Sequence, residues 1–596
     1  MNDLLKYPFD CLEILRKYKS IRRALIKNDN FIDVKIFVAS GTTTDEIIKI
    51  LEVFLLNAGI KPEFLLGNYG LFYEDLIFEN KDLKDFNPDL IYVHTSFKNL
   101  KNIPKVSDSI SDIDQKLNNE FCNFKDIWKK IGESYGCPVI QNNFELPPQR
   151  ILGNLDSTLP SGLTNYITNL NYKFSRHANL NDNLYLNDIN YLSAFHGIEN
   201  WFSMKEWYRS KHSVSLKYVP YLSYNIANII SALYGKSKKG LVLDLDNTLW
   251  GGVIGDDGVS EIKIGNGSPV SEAYLDFQNY IKELYSRGIM LSIASKNDIE
   301  NALEGLNHPE GVLKEKDFIS IKANWSDKAE NIQEISKELN IHNDALVFVD
   351  DNPAERDLVK QFLPEINVLN VTDDICDYMD ILDKSGFFEV TSISKDDINR
   401  NSTFEANKQR AQFEKKAINY QEYLISLEMK SVIKESKGEQ IERISQLINK
   451  TNQFNLTTFR HTVAEVTKYI ESKDSIVIYG TLNDRFGENG IISVLVCNLL
   501  PEEIEIHIWV MSCRVFKRDM EYAMFDKLVD IAKKMKKKTI RGIYIPSKKN
   551  QLVSDLYEML GFKKIDSPKN KENEIHYVID TKSIEQKNKT IKVSDE

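Results

Sequence analysis

The sequence contains few cysteines and no long apolar run, and these absences narrow the class of protein. Six cysteines are scattered over 596 residues without a CxxC pair, which favours a reduced, cytoplasmic protein. No apolar stretch approaches the length of a membrane span, and the start Met1-Asn-Asp-Leu lacks the basic and apolar regions of a signal peptide. The net charge of -11 disfavours a general nucleic-acid coat. We therefore expect no nucleic-acid or membrane partner.

Composition and pattern instead indicate a multidomain α/β protein. Hydrophobic residues make up 42% and charged residues 27% of the chain, which is enough for several globular cores. The length corresponds to about three to five domains. Short apolar runs alternate with amphipathic helical patterns, and this alternation favours parallel α/β construction. The chain shows no internal repeat and no low-complexity block.

The first predicted domain covers residues 1–235. Strands are predicted at 34–38 and 90–94, and the domain ends near a helical segment at 221–234. The polar, basic connector 235–240 has the composition of a linker. A second domain is therefore expected to start at residue 240.

The second predicted domain spans 240–380 and the third spans 395–583. The third opens with a charged helical segment at 396–430, and its closely spaced strands indicate an antiparallel meander. The lysine- and acid-rich residues 584–596 predict a flexible tail. The predicted strands of the two domains are, in chain order, 241–246, 289–295, 345–351, 475–480, 490–497 and 504–510.

The second domain begins with the motif that carries most chemical information. An apolar run leads directly into Asp244 and Asp246, and Thr248 follows. Carboxylates at the carboxyl end of a buried parallel strand lie where open α/β sheets place their ligands. Desolvating paired acids is costly without compensation. The motif therefore predicts a metal site, a shared proton or an exposed surface.

Further polar residues follow at the ends of the other predicted elements of this domain. Ser326 is predicted to cap the helix that contains Lys328. Asn352 is predicted to cap the helix that follows the third strand, and Pro353 suits the first turn of that helix. The residues expected to converge with the first motif are Ser295, Lys328, Asp350 and Asp351.

This ordered set of motifs closely resembles the haloacid dehalogenase (HAD) superfamily of phosphohydrolases. The resemblance implies that Asp244 attacks phosphorus and forms an aspartyl-phosphate. Asp246 is then expected to protonate the leaving group and to activate water. The implied cofactor is Mg²⁺, held by Asp244, Asp246 and the pair Asp350 and Asp351, with Asp351 the nearer member of the pair.

The same resemblance assigns Thr248, Ser295 and Lys328 to binding of the phosphoryl group. The segments between the motifs are too short for a large cap domain, which suits a phosphate presented on a macromolecule. The alternative is that these acids only cap helices or lie on solvent-exposed loops without a catalytic role, as single surface carboxylates commonly do. Four motifs in the expected order favour the HAD interpretation.

The third domain contains a candidate thiol nucleophile, Cys513. The neighbouring cations Arg514, Lys517 and Arg518 are expected to lower its pKa. The alternative is a small buried core residue, which is the usual fate of a free cysteine. Cys497, inside a predicted strand, fits that alternative better.

Other segments of the third domain resemble a GNAT acyltransferase fold. With the Trp250-Gly-Gly extension of the first HAD motif, the whole chain resembles the FkbH-like proteins, which join an SGNH-hydrolase-like unit, a capless HAD domain and a GNAT-like domain. The segments that carry this resemblance are 479–480, 484–487, 544–550, 557–562 and the stretch Lys450-Thr-Asn-Gln-Phe-Asn-Leu-Thr457.

Membership of that family implies a defined reaction. The family takes the glyceryl group of 1,3-bisphosphoglycerate, removes phosphate and loads glyceryl onto an acyl carrier protein for polyketide assembly. Carried over, Cys513 attacks the acyl phosphate, the phosphopantetheine thiol of the carrier takes the acyl group, and the HAD site removes the remaining phosphate.

The resemblance fails at the loop where GNAT enzymes bind the pyrophosphate of acyl-CoA. Lys517 and Asp519 stand where that loop has glycines, and Asp519 repels pyrophosphate. Transfer from acetyl-CoA is therefore disfavoured. Arg514, Lys517 and Arg518 remain candidates for binding the substrate phosphate or the pantetheine arm.

The first domain has a serine and an asparagine at SGNH-like positions, Ser40 and Asn143. A catalytic interpretation makes Ser40 a nucleophile, but His212 has no acid three residues before it and no Asp-x-x-His is present. A serine without a general base is a weak nucleophile. We therefore expect a docking or structural platform.

Two rival functions remain open. The first is a HAD phosphatase acting on a phosphoprotein or a sugar phosphate, with Cys513 buried and the GNAT-like domain structural. The second is a carrier-binding scaffold with a vestigial HAD site. The complete set of motif acids disfavours the scaffold, because a site without activity need not keep them.

Overall fold

In a computed structural model, the chain is described at residues 2–28, 31–78, 80–401, 406, 410, 413, 419–512, 515–547, 549–566 and 573–594. The chain divides into two compact units, one of Met1–Tyr234 with Thr462–Glu465, and one of Gly235–His461 with Val466–Glu596. Within the described residues, no helix combines the length and apolar character needed to cross a membrane.

The first unit is built on a parallel sheet with the strand order β2-β1-β3-β4-β5. Its strands are β1 (Ile32–Ser40), β2 (Ile60–Leu66), β3 (Leu90–His94), β4 (Val139–Asn142) and β5 (Leu184–Asn187). Its helices are α1 (Cys11–Leu25), α2 (Asp45–Asn57), α3 (Phe72–Ile77), α4 (Lys81–Phe86), α5 (Ile110–Ser134), α6 (Leu163–Ala178), α7 (Ile189–His196), α8 (Ile198–Trp201), α9 (Met204–Ser210) and α10 (Val219–Leu233).

Both faces of this sheet are covered, because its strands are apolar on both sides. In β3, all five residues are buried, as expected for a parallel strand between two helical layers. Separate hydrophobic clusters lie on the two faces, one containing Val38 and Tyr92 and the other containing Phe37 and Val93. The predicted α/β fold of this unit is confirmed.

The second unit begins with another parallel sheet, of order β10-β9-β6-β7-β8. Its strands are β6 (Gly240–Leu243), β7 (Met290–Ser295), β8 (Phe318–Ala323), β9 (Leu346–Val349) and β10 (Asn367–Val368). Its helices are α11 (Ile254–Asp257), α12 (Pro269–Ser286), α13 (Ile299–Leu306), α14 (Lys328–Leu339), α15 (Pro353–Phe362) and α16 (Tyr378–Lys384).

Strands β6 and β9 are shorter than predicted and fully buried. They end before Asp244 and Asp350, because the acids turn out of the sheet into loops. Helix α15 is capped by the Asn352 side chain and starts with Pro353, as predicted. Helix α14 is not capped by Ser326. Its N-cap residue is Asp327, without a side-chain capping bond, so this prediction was wrong by one residue.

The remainder of the second unit forms a mixed sheet of order β16-β17-β15-β14-β13-β12-β11-β18. Its strands are β11 (Lys430–Glu435), β12 (Ser475–Asp484), β13 (Gly487–Leu499), β14 (Glu503–Met511), β15 (Thr539–Tyr544), β16 (Lys563–Ile565), β17 (Ile575–Asp580) and β18 (Lys592–Ser594). The helices in this part of the chain are α17 (Lys395–Ile398), α18 (Tyr420–Ser426), α19 (Ile441–Lys450), α20 (Val463–Glu471), α21 (Met520–Lys534) and α22 (Leu556–Leu560).

Strands β12, β13 and β14 form the predicted antiparallel meander. Strand β15 then joins β14 in parallel, and α21 connects the two strands. The mixed sheet with helices packed on it is the α+β fold that the GNAT-like resemblance implied. Of the predicted helical segment 396–430, α17 and α18 are present, and most residues between 401 and 419 lie outside the described residues.

The prediction of a flexible tail at 584–596 was wrong. Strand β18 pairs in parallel with β11, and the Lys592 backbone donates to the Met429 carbonyl. Ile591 is buried, and Asp526 accepts backbone hydrogen bonds from Lys587 and Asn588. A charged sequence was mistaken for a disordered one. Ile591 is part of the core, Ile584 packs against it, and β18 pairs with an otherwise open sheet edge.

Candidate active site

The two acidic motifs meet because β6 lies between β7 and β9 in the parallel sheet. Leu243 at the end of β6 is in register with Val349 and Ile293 on its neighbours. The residues that follow these three strands therefore emerge at one edge. Asp244 and Asp350 are buried there, with exposed fractions of 7% and 0%.

A buried lysine lies between these two acids. The Lys328 ammonium donates to Asp244 at 2.6 Å and to Asp350 at 2.5 Å. Burial by itself disfavours the charged lysine, but attraction to Asp244 and Asp350 outweighs it and raises the pKa of Lys328. Lys328 is the first residue of α14, so the helix fixes its position.

Asp351 completes a cluster of oxygen ligands. One carboxylate oxygen from each of Asp244, Asp350 and Asp351 lies within 4.8 Å of the others. Burial and the charge of Asp244 raise the pKa of Asp350 to about 7 and also raise the pKa of Asp351. Converging carboxylate oxygens are the ligands that Mg²⁺ prefers, and a bound cation would offset the repulsion between the three acids. These residues therefore fit the predicted ion.

The Asp246 carboxylate lies outside that cluster and is held by its own set of donors. One oxygen accepts from the Trp250 indole at 2.9 Å and from the Ile254 backbone at 3.1 Å. The other accepts from the Asn297 amide at 3.0 Å. Burial raises the pKa of Asp246, which suits a residue that must carry a proton.

Sequence reasoning missed the contact between Trp250 and Asp246. Trp250 is 1% exposed, and Gly305 leaves room for its ring, since a Cβ there would lie 2.6 Å from the indole. The packed ring aims its N–H at Asp246. No sequence signal beyond the spacing of four residues pointed to this contact.

We expect Trp250→Phe to lower kcat for phosphate release by about 10- to 100-fold with little change in KM, because an orienting hydrogen bond is lost. Steady-state kinetics with p-nitrophenyl phosphate measure this effect. The matched control is Trp325→Phe, because Trp325 is 71% exposed and donates to Asp298. Equal kinetics for the two variants would show that Trp250 only fills space.

Thr248 and Ser295 both lie at this edge and are almost inaccessible, with exposed fractions of 0% and 2%. The Thr248 hydroxyl accepts from the Asp351 backbone at 3.2 Å, so it positions the loop that carries the acidic pair. The Ser295 carbonyl accepts from the Asn324 backbone, which ties β7 to the loop before Lys328. The predicted phosphate contacts of these two hydroxyls stay predictions.

Of the predicted thiol site, Cys513 and Arg514 lie outside the described residues. Cys497 is fully buried and its burial raises the pKa of the thiol, as expected for a core residue. The Lys517 carbonyl accepts from the Tyr420 hydroxyl. Ser512, the residue just after β14, is described, and its backbone N–H donates to the Ile492 carbonyl at 2.7 Å.

Arg518 is buried and forms an ion pair inside the C-terminal part of the second unit. It is 7% exposed and pairs with the buried carboxylate of Asp484 at 3.2 Å, which Arg410 also contacts at 2.6 Å. Burial lowers the pKa of Arg518 to about 10. The charge of Arg518 therefore compensates Asp484, and the prediction that Arg518 binds phosphate or pantetheine stays a prediction.

The stretch Lys450–Thr457 fills the gap where β14 and β15 separate beyond Ile506. Met511 donates to the Phe454 carbonyl at 3.1 Å, and Leu456 donates to the Trp509 carbonyl at 3.2 Å. On the other side, Ile545 donates to the Leu456 carbonyl at 2.8 Å. The segment acts as a short extra strand, so the space between these two strands is closed.

In the first unit, Ser40 is 4% exposed and its hydroxyl bonds that of Thr44 at 3.0 Å. A buried network lies beside it, in which His94 contacts Thr42 and Tyr92, both at 2.9 Å. Burial lowers the pKa of His94 to about 3, so this imidazole is neutral. Sequence reasoning missed this network, which links residues at the carboxyl ends of β1 and β3. The interpretation of this unit as a docking or structural platform stays a prediction.

Comparison with known proteins shows which families and solved structures this chain is similar to. The family of FkbH N-terminal domains matches residues 56–231. The N-terminal part of the protein BF1531 from Bacteroides fragilis, which contains a phosphatase domain complexed with Mg, is 30% identical with a TM-score of 0.59. That match covers 63% of this chain and 99% of the other.

Weaker matches include the ribosomal-protein-S18-alanine N-acetyltransferase from Escherichia coli, at 12% identity and a TM-score of 0.20, covering 25% of this chain and 90% of that one. A putative GNAT-family acetyltransferase from Desulfovibrio desulfuricans has 10% identity and a TM-score of 0.22, covering 25% and 99%. A comparison with curated proteins finds no match. The N-terminal family match and the Bacteroides fragilis phosphatase show that the chain belongs to the FkbH-like family, with a phosphatase domain of the HAD type.

Proposed function

We propose that the chain is a Mg²⁺-dependent phosphatase that also transfers a glyceryl unit from an acyl phosphate to the thiol of an acyl carrier protein. The observation that carries the phosphatase part is the cluster of Asp244, Asp350 and Asp351 around the buried ammonium of Lys328. The transfer part is supported by the family membership and by the position of Cys513 in the sequence.

The phosphatase reaction follows from the two acids of the first motif. The Asp244 carboxylate attacks phosphorus and the bond to the leaving alcohol breaks, while Asp246 gives that alcohol its proton. Asp246 then takes a proton from water, which attacks the aspartyl-phosphate, releases phosphate and restores Asp244. Lys328 offsets the charge of the transferring group. Bound Mg²⁺, held by Asp244, Asp350 and Asp351, would shield phosphate charge from the carboxylates.

The shape of the phosphatase domain favours a phosphate carried on a large partner. Between β6 and α12 the chain forms only the short α11, and between β7 and β8 it forms α13. In residues 240–384, which are all described, no separate domain covers the acidic edge. A phosphoglyceryl group on the arm of a carrier protein would therefore have access to Asp244.

The transfer reaction begins at Cys513. Its thiolate attacks the acyl carbon of 1,3-bisphosphoglycerate, the bond from that carbon to the 1-phosphate breaks, inorganic phosphate leaves, and a phosphoglyceryl thioester forms on the enzyme. The phosphopantetheine thiol of the carrier displaces Cys513 in a second exchange, which changes one thioester for another. Hydrolysis of the remaining phosphate ester at Asp244 then leaves glyceryl on the carrier for a polyketide-type pathway.

Intact-protein mass spectrometry tests this sequence. Wild-type protein, 1,3-bisphosphoglycerate and a phosphopantetheinylated carrier should give glyceryl-carrier. We expect Cys513→Ala to give no loaded carrier and Cys497→Ala, the matched control, to load normally, because Cys497 is buried in the core.

Asp244→Asn should give phosphoglyceryl-carrier in place of glyceryl-carrier. An unloaded carrier with the wild-type protein refutes the transfer reaction, and normal loading by Cys513→Ala refutes the role of the thiol. Phosphate release without loading of the carrier would support the alternative function, a phosphatase that acts on phosphoproteins or sugar phosphates.

A further inference from the structure

A large cavity lies inside the second unit, between the edge of the phosphatase sheet and the C-terminal sheet. Its volume is about 1110 Å³, which is the size of a site for an extended organic ligand. One wall is the edge strand β8, of which residues 318–322 line the cavity. The opposite wall includes α19 and the end of β14.

The two C-terminal motifs meet at this cavity. Residues 450–454 of the segment that closes the gap between β14 and β15 line it, and so does Ser512, the residue before Cys513. Phe516 lies on the same wall. Described residues on both sides of positions 513 and 514 in the sequence therefore line the cavity.

The cavity also extends along β8 to the acidic edge of the phosphatase sheet. Lys322, near the carboxyl end of β8, and Ile299, the first residue of α13, both line it. Ile299 follows two residues after Asn297, which donates to Asp246. Strand β8 has six residues and is about 20 Å long. The lining thus includes residues that are close in sequence to Cys513 and to Asn297, the partner of Asp246.

The walls offer a specific combination of groups. Ile319, Ile341 and Phe454 supply apolar surface, and β8 pairs with β7 alone among the described strands, which leaves its outer backbone edge for other partners. The side-chain oxygens of Asn401 and Gln453 are buried without a hydrogen-bond partner among the described residues. Buried oxygens of this kind require N–H donors.

We propose that this cavity binds the phosphopantetheine arm of the carrier in an extended conformation along β8. The inference rests on the proposed function. The arm carries two secondary amides, whose N–H groups suit the Asn401 and Gln453 oxygens and the strand backbone, and a dimethyl-substituted carbon that suits the apolar wall. An arm in this cavity links the thiol step to the phosphatase step without a second binding site.

Tryptophan substitutions that fill the cavity test the proposal. Ile341→Trp fills it from the phosphatase side, and Gln446→Trp fills it from α19. We expect each to slow carrier loading by about 100-fold, with p-nitrophenyl phosphate hydrolysis unchanged because neither residue touches Asp244. The matched controls Ile341→Val and Gln446→Ala should load at the wild-type rate. Two positions keep the test valid if one variant fails to fold.

The outcomes separate this inference from the proposed function. Wild-type loading combined with normal loading by both folded tryptophan variants overturns the cavity assignment, and so does a loss of p-nitrophenyl phosphate hydrolysis. If the wild-type protein loads no carrier, the proposed function fails. Calorimetry with free 4′-phosphopantetheine then decides whether the cavity binds the arm. Heat of binding lost in Ile341→Trp supports the site, and absence of binding to the wild-type protein overturns it.

Discussion

Asp244→Asn is expected to lower the rate of phosphate release by about 10⁴-fold or more, the loss typical of removing a nucleophile. An amide does not form the aspartyl-phosphate. Asp244 is chosen because it directly follows the central strand β6 and is the acid of the first motif to which the HAD resemblance assigns the nucleophile. Asp350 shares its contact with Lys328 and its place in the three-carboxylate cluster. Release of inorganic phosphate from p-nitrophenyl phosphate measures the effect.

The fold should survive this change, because Lys328 keeps Asp350 as a partner. Asp256→Asn is the control, since Asp256 is an exposed acid of the same domain, and it should leave the rate unchanged. A tenth or more of wild-type activity in Asp244→Asn, with an unchanged unfolding midpoint, would assign the nucleophile to another group.

Lys328→Met is expected to destabilise the protein by about 3–5 kcal/mol, because it leaves buried carboxylates without their compensating charge. Lys328 is 3% exposed, and its partners Asp244 and Asp350 are 7% and 0% exposed, so water does not replace the ammonium. The free energy of unfolding in urea, measured with a chelator present, gives this loss. Added Mg²⁺ should restore part of it, because the same carboxylates would bind the ion.

Lys322→Met is the matched control for this measurement. Lys322 lies in the same domain and pairs with Glu334 and Glu338, but these carboxylates are about half exposed, at 52% and 47%. Its loss should cost about 1 kcal/mol or less. Equal destabilisation by the two substitutions would contradict a dependence of the site on a buried charge network.

Parts of the site that depend on short-range pattern were predictable. The apolar residues of β6 and β9 predicted two of the strands, because a continuous apolar run favours a strand buried on both faces. The order of the strands in the sheet was not predicted. Asn352 and Pro353 gave the start of α15 for a similarly local reason. Element ends were less accurate, as with Ser326 and Asp327, since neighbouring polar residues compete for one capping position.

Contacts between distant segments were not predictable in the same way. Nothing in the spacing of Arg518 and Asp484 marks them as partners, so their buried ion pair was not predicted. The tail at 584–596 was taken as disordered because its composition is charged, whereas β18 is held by the open edge of β11. In both cases the deciding group lies far away in the sequence.

The sequence by itself determined the nature of the chemistry: which residues are acids, that they follow apolar strands, and that the motifs have the order of HAD phosphatases. Residue type and the local spacing of apolar residues determine these properties. The tertiary structure decided which groups touch. It placed Lys328 between Asp244 and Asp350, aimed the Trp250 indole at Asp246, and enclosed the cavity beside β8. These contacts depend on the packing of segments that are far apart in the chain, which no local pattern records.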